Sequence, residues 1–128
     1  MGTLNVTIEV AAGPDSPGER IRTLAGTGQM YSSVPAAILR RLGVEPTGRR
    51  TFVYPDGERV ERDIGWPVVR VEDAERAHPS LVVFGDDDSE PLLGTLTLTM
   101  CGLEVDPERD ELVPLTAYLP GIRVEAAA

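Results

Sequence analysis

Alternation of apolar and polar residues near the start of the chain is the strongest constraint on its fold. Every second residue of one strand-length segment is apolar: Leu4, Val6, Ile8 and Val10. Successive side chains of a β-strand point to opposite faces, so this period of two predicts a half-buried strand. Turn-forming residues occupy positions 13–18, and residues 19–25 can return as a second strand. The chain is therefore predicted to begin with a β-hairpin.

Strand patterns continue beyond this hairpin. Residues 49–63 are predicted to form a second hairpin, because Pro55-Asp56-Gly57 favours a tight turn between strands. Residues 68–71 and 81–84 are apolar or β-branched runs on either side of a charged loop around residues 72–78. They predict two more strands. The pattern as a whole is that of a mostly β protein.

One segment has the signals of a short helix. Ser33 precedes Pro35 and an apolar helical spacing that runs to Leu42, and Gly43 follows. These residues predict an N-cap at Ser33, a proline early in the helix and a glycine stop at Gly43.

Composition and charge restrict the possible partners. The length of 128 residues suits one domain. Twelve basic residues, all of them arginine, face 21 acidic ones, and the net charge of -9 repels phosphate backbones and anionic membrane surfaces. No apolar run approaches the roughly 20 residues of a membrane span, and no secretory signal is visible. A cytoplasmic protein that binds neither nucleic acid nor membrane is expected.

Three motifs follow one another along the chain: Thr23-Leu24-Ala25-Gly26-Thr27-Gly28, then Val34-Pro35 with Leu42-Gly43-Val44, and Leu92-Leu93-Gly94 with Gly102-Leu103-Glu104-Val105-Asp106. Each motif alone is common. In this order and spacing they resemble the retropepsin-like aspartic proteases that occur as small single-domain chains in bacteria. The resemblance covers most of the chain.

The resemblance implies an all-β fold, a single-lobe retropepsin-like acid-protease barrel with one or two short helices. It implies a protease domain at residues 1–116 and a C-terminal extension at residues 117–128. Four apolar residues lie in the extension: Tyr118, Leu119, Ile122 and Val124. A homodimer through the terminal strands and the active-site loops is also implied, with no cofactor and no metal.

The catalytic position is where this chain departs from the family. In the family, each subunit of the dimer donates one aspartate, and the pair activates a water that attacks the peptide bond. Gly26 stands at the position of that aspartate, so the resemblance implies that peptidase activity is lost or much reduced. Thr27 matches the threonine that ties the two active-site loops together, and Gly28 matches a glycine that permits the tight turn.

Two further segments match parts of the family's binding site. Tyr54-Pro55-Asp56-Gly57 corresponds to the turn of the flap, which closes over an extended peptide. Leu92, Leu93 and Gly94 correspond to the segment that supports the active-site loop, and a short helix follows it in the family. A helix is therefore expected at residues 95–100, in place of the strand that its threonines favour. The expected partner is a peptide or protein segment.

Two other functions stay open. An active aspartic endopeptidase would need a partner lobe with an intact motif or a different carboxylate, yet Asp56, Asp63 and the run 86–88 lie away from the active-site loop of the expected fold. A non-catalytic peptide-binding or structural dimerisation module needs no carboxylate. Exposure of Tyr54, Trp66 and the Gly26 loop in a deep cleft would speak against a purely structural role.

Other kinds of site have weak support. The acidic run 86–90 lacks the ligand spacing of a calcium loop, and His78 has no second histidine or paired cysteines nearby to complete a zinc site. Cys101 is expected to be a core residue. Gly26-Thr27-Gly28 lacks the lysine of a phosphate-binding loop, since the chain contains no lysine.

Overall fold

The computed structural model describes residues 3–72 and 74–121. Eleven strands and two helices form within this part of the chain: β1 (Thr3–Ala11), β2 (Gly18–Gly26), β3 (Ser32–Pro35), α1 (Ala36–Arg41), β4 (Gly48–Val53), β5 (Arg59–Gly65), β6 (Val68–Val71), β7 (His78–Pro79), β8 (Val82–Gly85), β9 (Leu92–Leu93), α2 (Thr95–Met100), β10 (Leu103–Asp106) and β11 (Glu111–Pro114). The prediction of a β fold with one or two short helices is confirmed at this level, since the protein is mostly β and has two short helices. The six-residue helices are far too short to traverse a bilayer.

Nine strands form one sheet that curls into a half-barrel, in the order β4-β5-β8-β3-β9-β2-β1-β6-β7. Strands β10 and β11 pair separately as a two-stranded sheet. The alternation in β1 is confirmed, because Val6, Ile8 and Val10 are buried. They lie in the main core, with the inward residues of β2, β6 and β8.

Strand β9 lies between β2 and β3, and this arrangement brings distant motifs together. It runs parallel to β2, where Leu24 is opposite Leu92, and antiparallel to β3, where Ser33 is opposite Leu92. Leu93 is fully buried. The loop between β2 and β3, residues 27–31, therefore crosses the end of the sheet at which both β2 and β9 end. We call it the motif loop, because it continues the Gly26-Thr27-Gly28 motif.

Helix α1 begins differently from the prediction. Ser33 lies in β3, and Pro35 is the N-cap residue, which makes no side-chain cap hydrogen bond. Instead, Asp87 Oδ1 accepts a hydrogen bond from the Ala37 N–H at 2.9 Å. The predicted N-cap at Ser33 is wrong, because a carboxylate far along the chain satisfies the first turn.

The C-terminal end of α1 follows the prediction. Gly43 has a φ of 86°, a left-handed conformation that suits glycine. The Gly43 N–H donates to Arg40 O at 3.0 Å, and the Val44 N–H donates to Leu39 O at 2.9 Å. This is a Schellman motif, so the glycine stop is confirmed.

Removal of the Asp87 cap is expected to destabilise the protein. The variant Asp87→Ala should lose about 1 kcal/mol of unfolding free energy, because an orphan N–H at the helix start loses its charged acceptor. Asp88→Ala is the matched control, since Asp88 is exposed and makes no side-chain hydrogen bond with the described residues. Urea unfolding of both variants is the measurement. Equal midpoints would show that the Asp87 cap contributes nothing.

Residues 95–100 form helix α2, as expected from the family resemblance and against the strand propensity of the threonines. Thr97 and Leu98 are buried. The Thr97 hydroxyl hydrogen-bonds to the Ser32 hydroxyl and, at 2.8 Å, to the Ser80 hydroxyl. Burial of these polar atoms is stable only because each finds a partner, which favours the helical arrangement over local propensity.

The end of the described chain leaves the folded body. Strand β11 ends at Pro114, and the Leu115 N–H still donates to Gly102 O at 2.9 Å. Tyr118 and Leu119 are 90% and 95% exposed. The other two apolar residues predicted in the extension, Ile122 and Val124, lie outside the described residues.

Candidate functional site

The loop after β2 carries the Gly26-Thr27-Gly28 motif and rests on β9 and α2. The Gln29 side chain ties the loop to β2 and β9, since Nε2 donates to Leu24 O at 2.9 Å and to Leu93 O at 3.1 Å. Two backbone bonds join it to α2: the Thr95 N–H donates to Gln29 O, and the Leu96 N–H donates to Met30 O, both at 3.0 Å. The loop is thus held by segments more than 60 residues away in sequence.

Gly94 allows this close contact. A Cβ atom on Gly94 would lie 2.3 Å from Met30 O and 2.5 Å from the Tyr31 carbonyl carbon. Both atoms belong to the backbone and cannot rotate away. The glycine that the family resemblance places under the loop is therefore required by packing.

Within the motif itself, the three residues have different environments. Gly26 is buried at the end of β2, while Thr27 and Gly28 are exposed. The Thr27 hydroxyl makes no hydrogen bond to any described residue. Gly28 is not in the left-handed region, and a Cβ there would meet nothing within 4 Å. The expectation that Gly28 is needed for the turn therefore has no conformational basis in this chain.

Strands β4 and β5 form the predicted hairpin, with Tyr54-Pro55-Asp56-Gly57 at its turn. The Gly57 N–H donates to Tyr54 O at 2.8 Å, and the Tyr54 N–H donates to Glu58 O at 2.9 Å. Gly57 has a φ of 88°, so glycine is needed here. Asp56 Oδ1 accepts a hydrogen bond from the Glu58 N–H at 2.9 Å. Asp56 is therefore a turn residue.

A cleft of about 530 Å³ lies between this hairpin and the motif loop. The residues that line it come from four places: Gly28, Gln29 and Tyr31 on the loop, Phe52, Tyr54 and Val60 on the hairpin, Val83 and Leu92 on the sheet, and Asp86, Ser89 and Glu90 on the segment before β9. Its volume and largely apolar lining are those of a small-ligand or peptide site.

Aromatic contacts tie the hairpin to the loop on one side of the cleft. The rings of Tyr31 and Phe52 meet edge to face, with centroids 5.2 Å apart and planes at 85°. Arg50 Nη1 donates to the Tyr31 hydroxyl at 3.1 Å. Tyr31 and Phe52 also pack on Ile64, Leu81 and Val83. The cleft floor is thus a small core of its own.

Most of the carboxylates named as possible substitutes for the missing aspartate are held by other groups. Asp86 pairs with Arg62, with an N–O distance of 3.0 Å. Asp63 pairs with Arg49 at 3.2 Å and with Arg40 at 3.8 Å. No described residues form a cluster of three or more histidine, cysteine or acidic side chains that suits a metal ion.

Cys101 and His78 lie away from the cleft. Burial raises the pKa of the Cys101 thiol to about 11, so the thiol stays protonated at neutral pH. Its Sγ lies 3.9 Å from Val69 O. His78 is half-buried in β7, opposite Val69. Neither residue lines the cleft.

Of the three exposed features that would speak against a purely structural role, two meet at the cleft. Tyr54 is 42% exposed and lines the cleft, and Gly28 brings the motif loop to its wall. Trp66 is 49% exposed but lies outside the lining.

Compared with protein-family models and with curated protein sequences, the chain gives no match.

Sequence reasoning missed several lining residues. Tyr31, Phe52 and Val60 were not identified, and neither were Arg62 and Glu90. The alternation of β4 and β5 would have signalled Phe52 and Val60, which are opposite each other in the hairpin. The others come from separate strands and loops, and only the sheet order brings them together.

Proposed function

We propose that this chain is a retropepsin-like domain that keeps a peptide-binding cleft and has lost the catalytic aspartate. The observation that carries the proposal is the cleft itself. It lies between the loop of Gly26-Thr27-Gly28 and the hairpin that ends in Tyr54-Pro55-Asp56-Gly57, which are the two segments that the family resemblance assigns to active site and flap.

The loss of chemistry follows from Gly26. Peptide hydrolysis by this family needs one carboxylate to take a proton from water and another, protonated, to polarise the carbonyl. Glycine has no group that can hold or transfer a proton. Asp86 lines the cleft, but its carboxylate forms an ion pair with Arg62, and Asp86 lies on a different segment from the Gly26 position.

Binding does not need those carboxylates. An extended peptide is held by main-chain hydrogen bonds of the strand type and by pockets for alternate side chains. The hairpin and the apolar floor of Val83 and Leu92 supply a surface for such contacts. Peptide capture without cleavage is thus the function that this site supports best.

We further propose that two copies associate through the motif loop. Thr27 is exposed, and its hydroxyl, which makes no hydrogen bond within the described part of the chain, can bond to a partner. Beside it lies a depression of about 220 Å³, lined in part by Thr95, Leu98, Leu103 and Leu115. A second loop at this place would meet both the hydroxyl and an apolar surface.

Tyr54 provides the direct test of the cleft. The variant Tyr54→Ala is expected to weaken binding of apolar peptides about fivefold to tenfold, because it removes an aromatic ring from the cleft wall without opening the core. Tyr118→Ala is the matched control, since Tyr118 is 90% exposed and outside the cleft. Fluorescence anisotropy with a labelled peptide library measures both. Equal affinities of the two variants would place peptide binding elsewhere, and no binding by the parent would favour a structural role.

A further inference from the structure

We propose that the cleft selects extended peptides in which a basic side chain follows or precedes an apolar stretch, and that Glu90 recognises the basic side chain. This inference rests on the proposed peptide-binding function. It adds a specificity that the family resemblance does not supply.

Three charged side chains line the cleft: Arg62, Asp86 and Glu90. Arg62 and Asp86 form an ion pair, since Arg62 Nη2 lies 3.0 Å from one Asp86 carboxylate oxygen and 3.2 Å from the other. Their charges cancel. Glu90 forms no ion pair with any described residue, so the cleft keeps one uncompensated negative charge.

The surroundings of Glu90 reinforce this charge. Asp87 and Asp88 lie on the same loop, and the Asp87 carboxylate accepts a hydrogen bond from the first turn of α1 and forms no ion pair with any residue that the structure describes. The chain as a whole carries a net charge of -9. A cationic side chain is therefore attracted to this end of the cleft, and an anionic one is repelled.

The position of Glu90 sets the spacing in the bound peptide. Glu90 precedes β9, which runs toward Gly94 under the motif loop. An extended segment from Glu90 to Gly94 covers about 13 Å at the usual rise of a strand. In an extended peptide laid along Leu92, the basic side chain therefore lies about four positions away from the residue that contacts the motif loop.

A double-mutant cycle tests this pairing. The probes are labelled nonapeptides with a central Val-Phe-Leu and one arginine four residues before or after the phenylalanine. Their matched partners carry citrulline, which has nearly the shape of arginine and no charge. Each is titrated against the parent, Glu90→Gln and Glu108→Gln. Glu108 lies in the exposed turn before β11, so its variant makes the same charge change far from the cleft.

The parent is expected to bind the better arginine peptide about threefold to fivefold more tightly than its citrulline partner, as for an exposed ion pair. Glu90→Gln should abolish this preference, Glu108→Gln should keep it, and 0.5 M salt should reduce it. Equal binding of arginine and citrulline peptides by the parent would overturn the inference. A preference that survives in Glu90→Gln would also overturn it. Failure of every peptide to bind would instead overturn the proposed function on which it rests.

Discussion

Gly26→Asp is expected to give the chain peptide-cleaving activity at mildly acidic pH, about 10²-fold or more above the parent, since positioned acid-base groups contribute at least that much. The new carboxylate would stand at the end of β2, and the loop that follows it is already fixed by Gln29 and by backbone bonds from α2. In a dimer through this loop, two such carboxylates would face one water. On the proposed function, this side chain is the part of the catalytic apparatus that the variant restores.

The pH dependence follows from the shared proton. Two carboxylates in close contact cannot both ionise easily, so the pKa of one is raised and that of the other is lowered. The pair is active when it holds one proton. Cleavage should therefore fall at high pH, where the last proton is lost, and fall again at low pH, where both groups are protonated.

Gly26→Asn is the matched control, because asparagine has nearly the size of aspartate and cannot take up or release the proton. Cleavage of a mixed peptide library by the aspartate variant alone would support the proposal. Activity of the parent, or of the asparagine variant, would contradict the proposed loss of function and point to another carboxylate. Silence of all three, with folded and dimeric protein, would favour a binding or structural role.

Gly94→Ala is expected to cost about 3 kcal/mol or more of unfolding free energy, which lowers the melting temperature by roughly 10 °C or more. The backbone of Gly94 has a φ of -93°, which any residue can adopt. The cost arises from the added methyl group, which would lie 2.3 Å from Met30 O. Relief requires the motif loop to move away from α2.

Gly28→Ala is the control from the same site. Its added Cβ meets no atom within 4 Å, and its φ is not left-handed, so a change within about 0.5 kcal/mol is expected. Thermal unfolding followed by circular dichroism compares the two variants. Similar melting temperatures would show that the loop yields easily and that the close contact at Gly94 is not needed for stability.

Only part of the candidate site could be predicted from the sequence. The hairpin turn was predicted from Pro55-Asp56-Gly57, because the left-handed φ of 88° at Gly57 is a local property that glycine signals. The glycine at position 26 was also visible directly. The ion pair of Arg62 and Asp86 was not, since it joins residues 24 positions apart, one in β5 and the other in the loop after β8.

The two helices also divide into features that local residues predict and features that depend on distant parts of the chain. Gly43 ended α1 as predicted, because a C-terminal glycine acts within its own turn. The N-terminal end was mispredicted at Ser33, because its partner is Asp87, 50 residues away. Helix α2 followed from the family resemblance, whereas the threonines alone favoured a strand.

By itself, the sequence determined the strand alternation, the turns at Gly43 and Gly57, the strongly acidic net charge and the absence of a carboxyl group at residue 26. These are properties of single residues and of near neighbours, and they hold whatever the rest of the chain does. Tertiary structure alone decided that β9 lies between β2 and β3, that a Cβ at position 94 would collide with the Met30 backbone, and that a cleft opens beside Glu90. The physical reason is that such contacts depend on strand order and register, which are set by burial of the whole core rather than by any one segment.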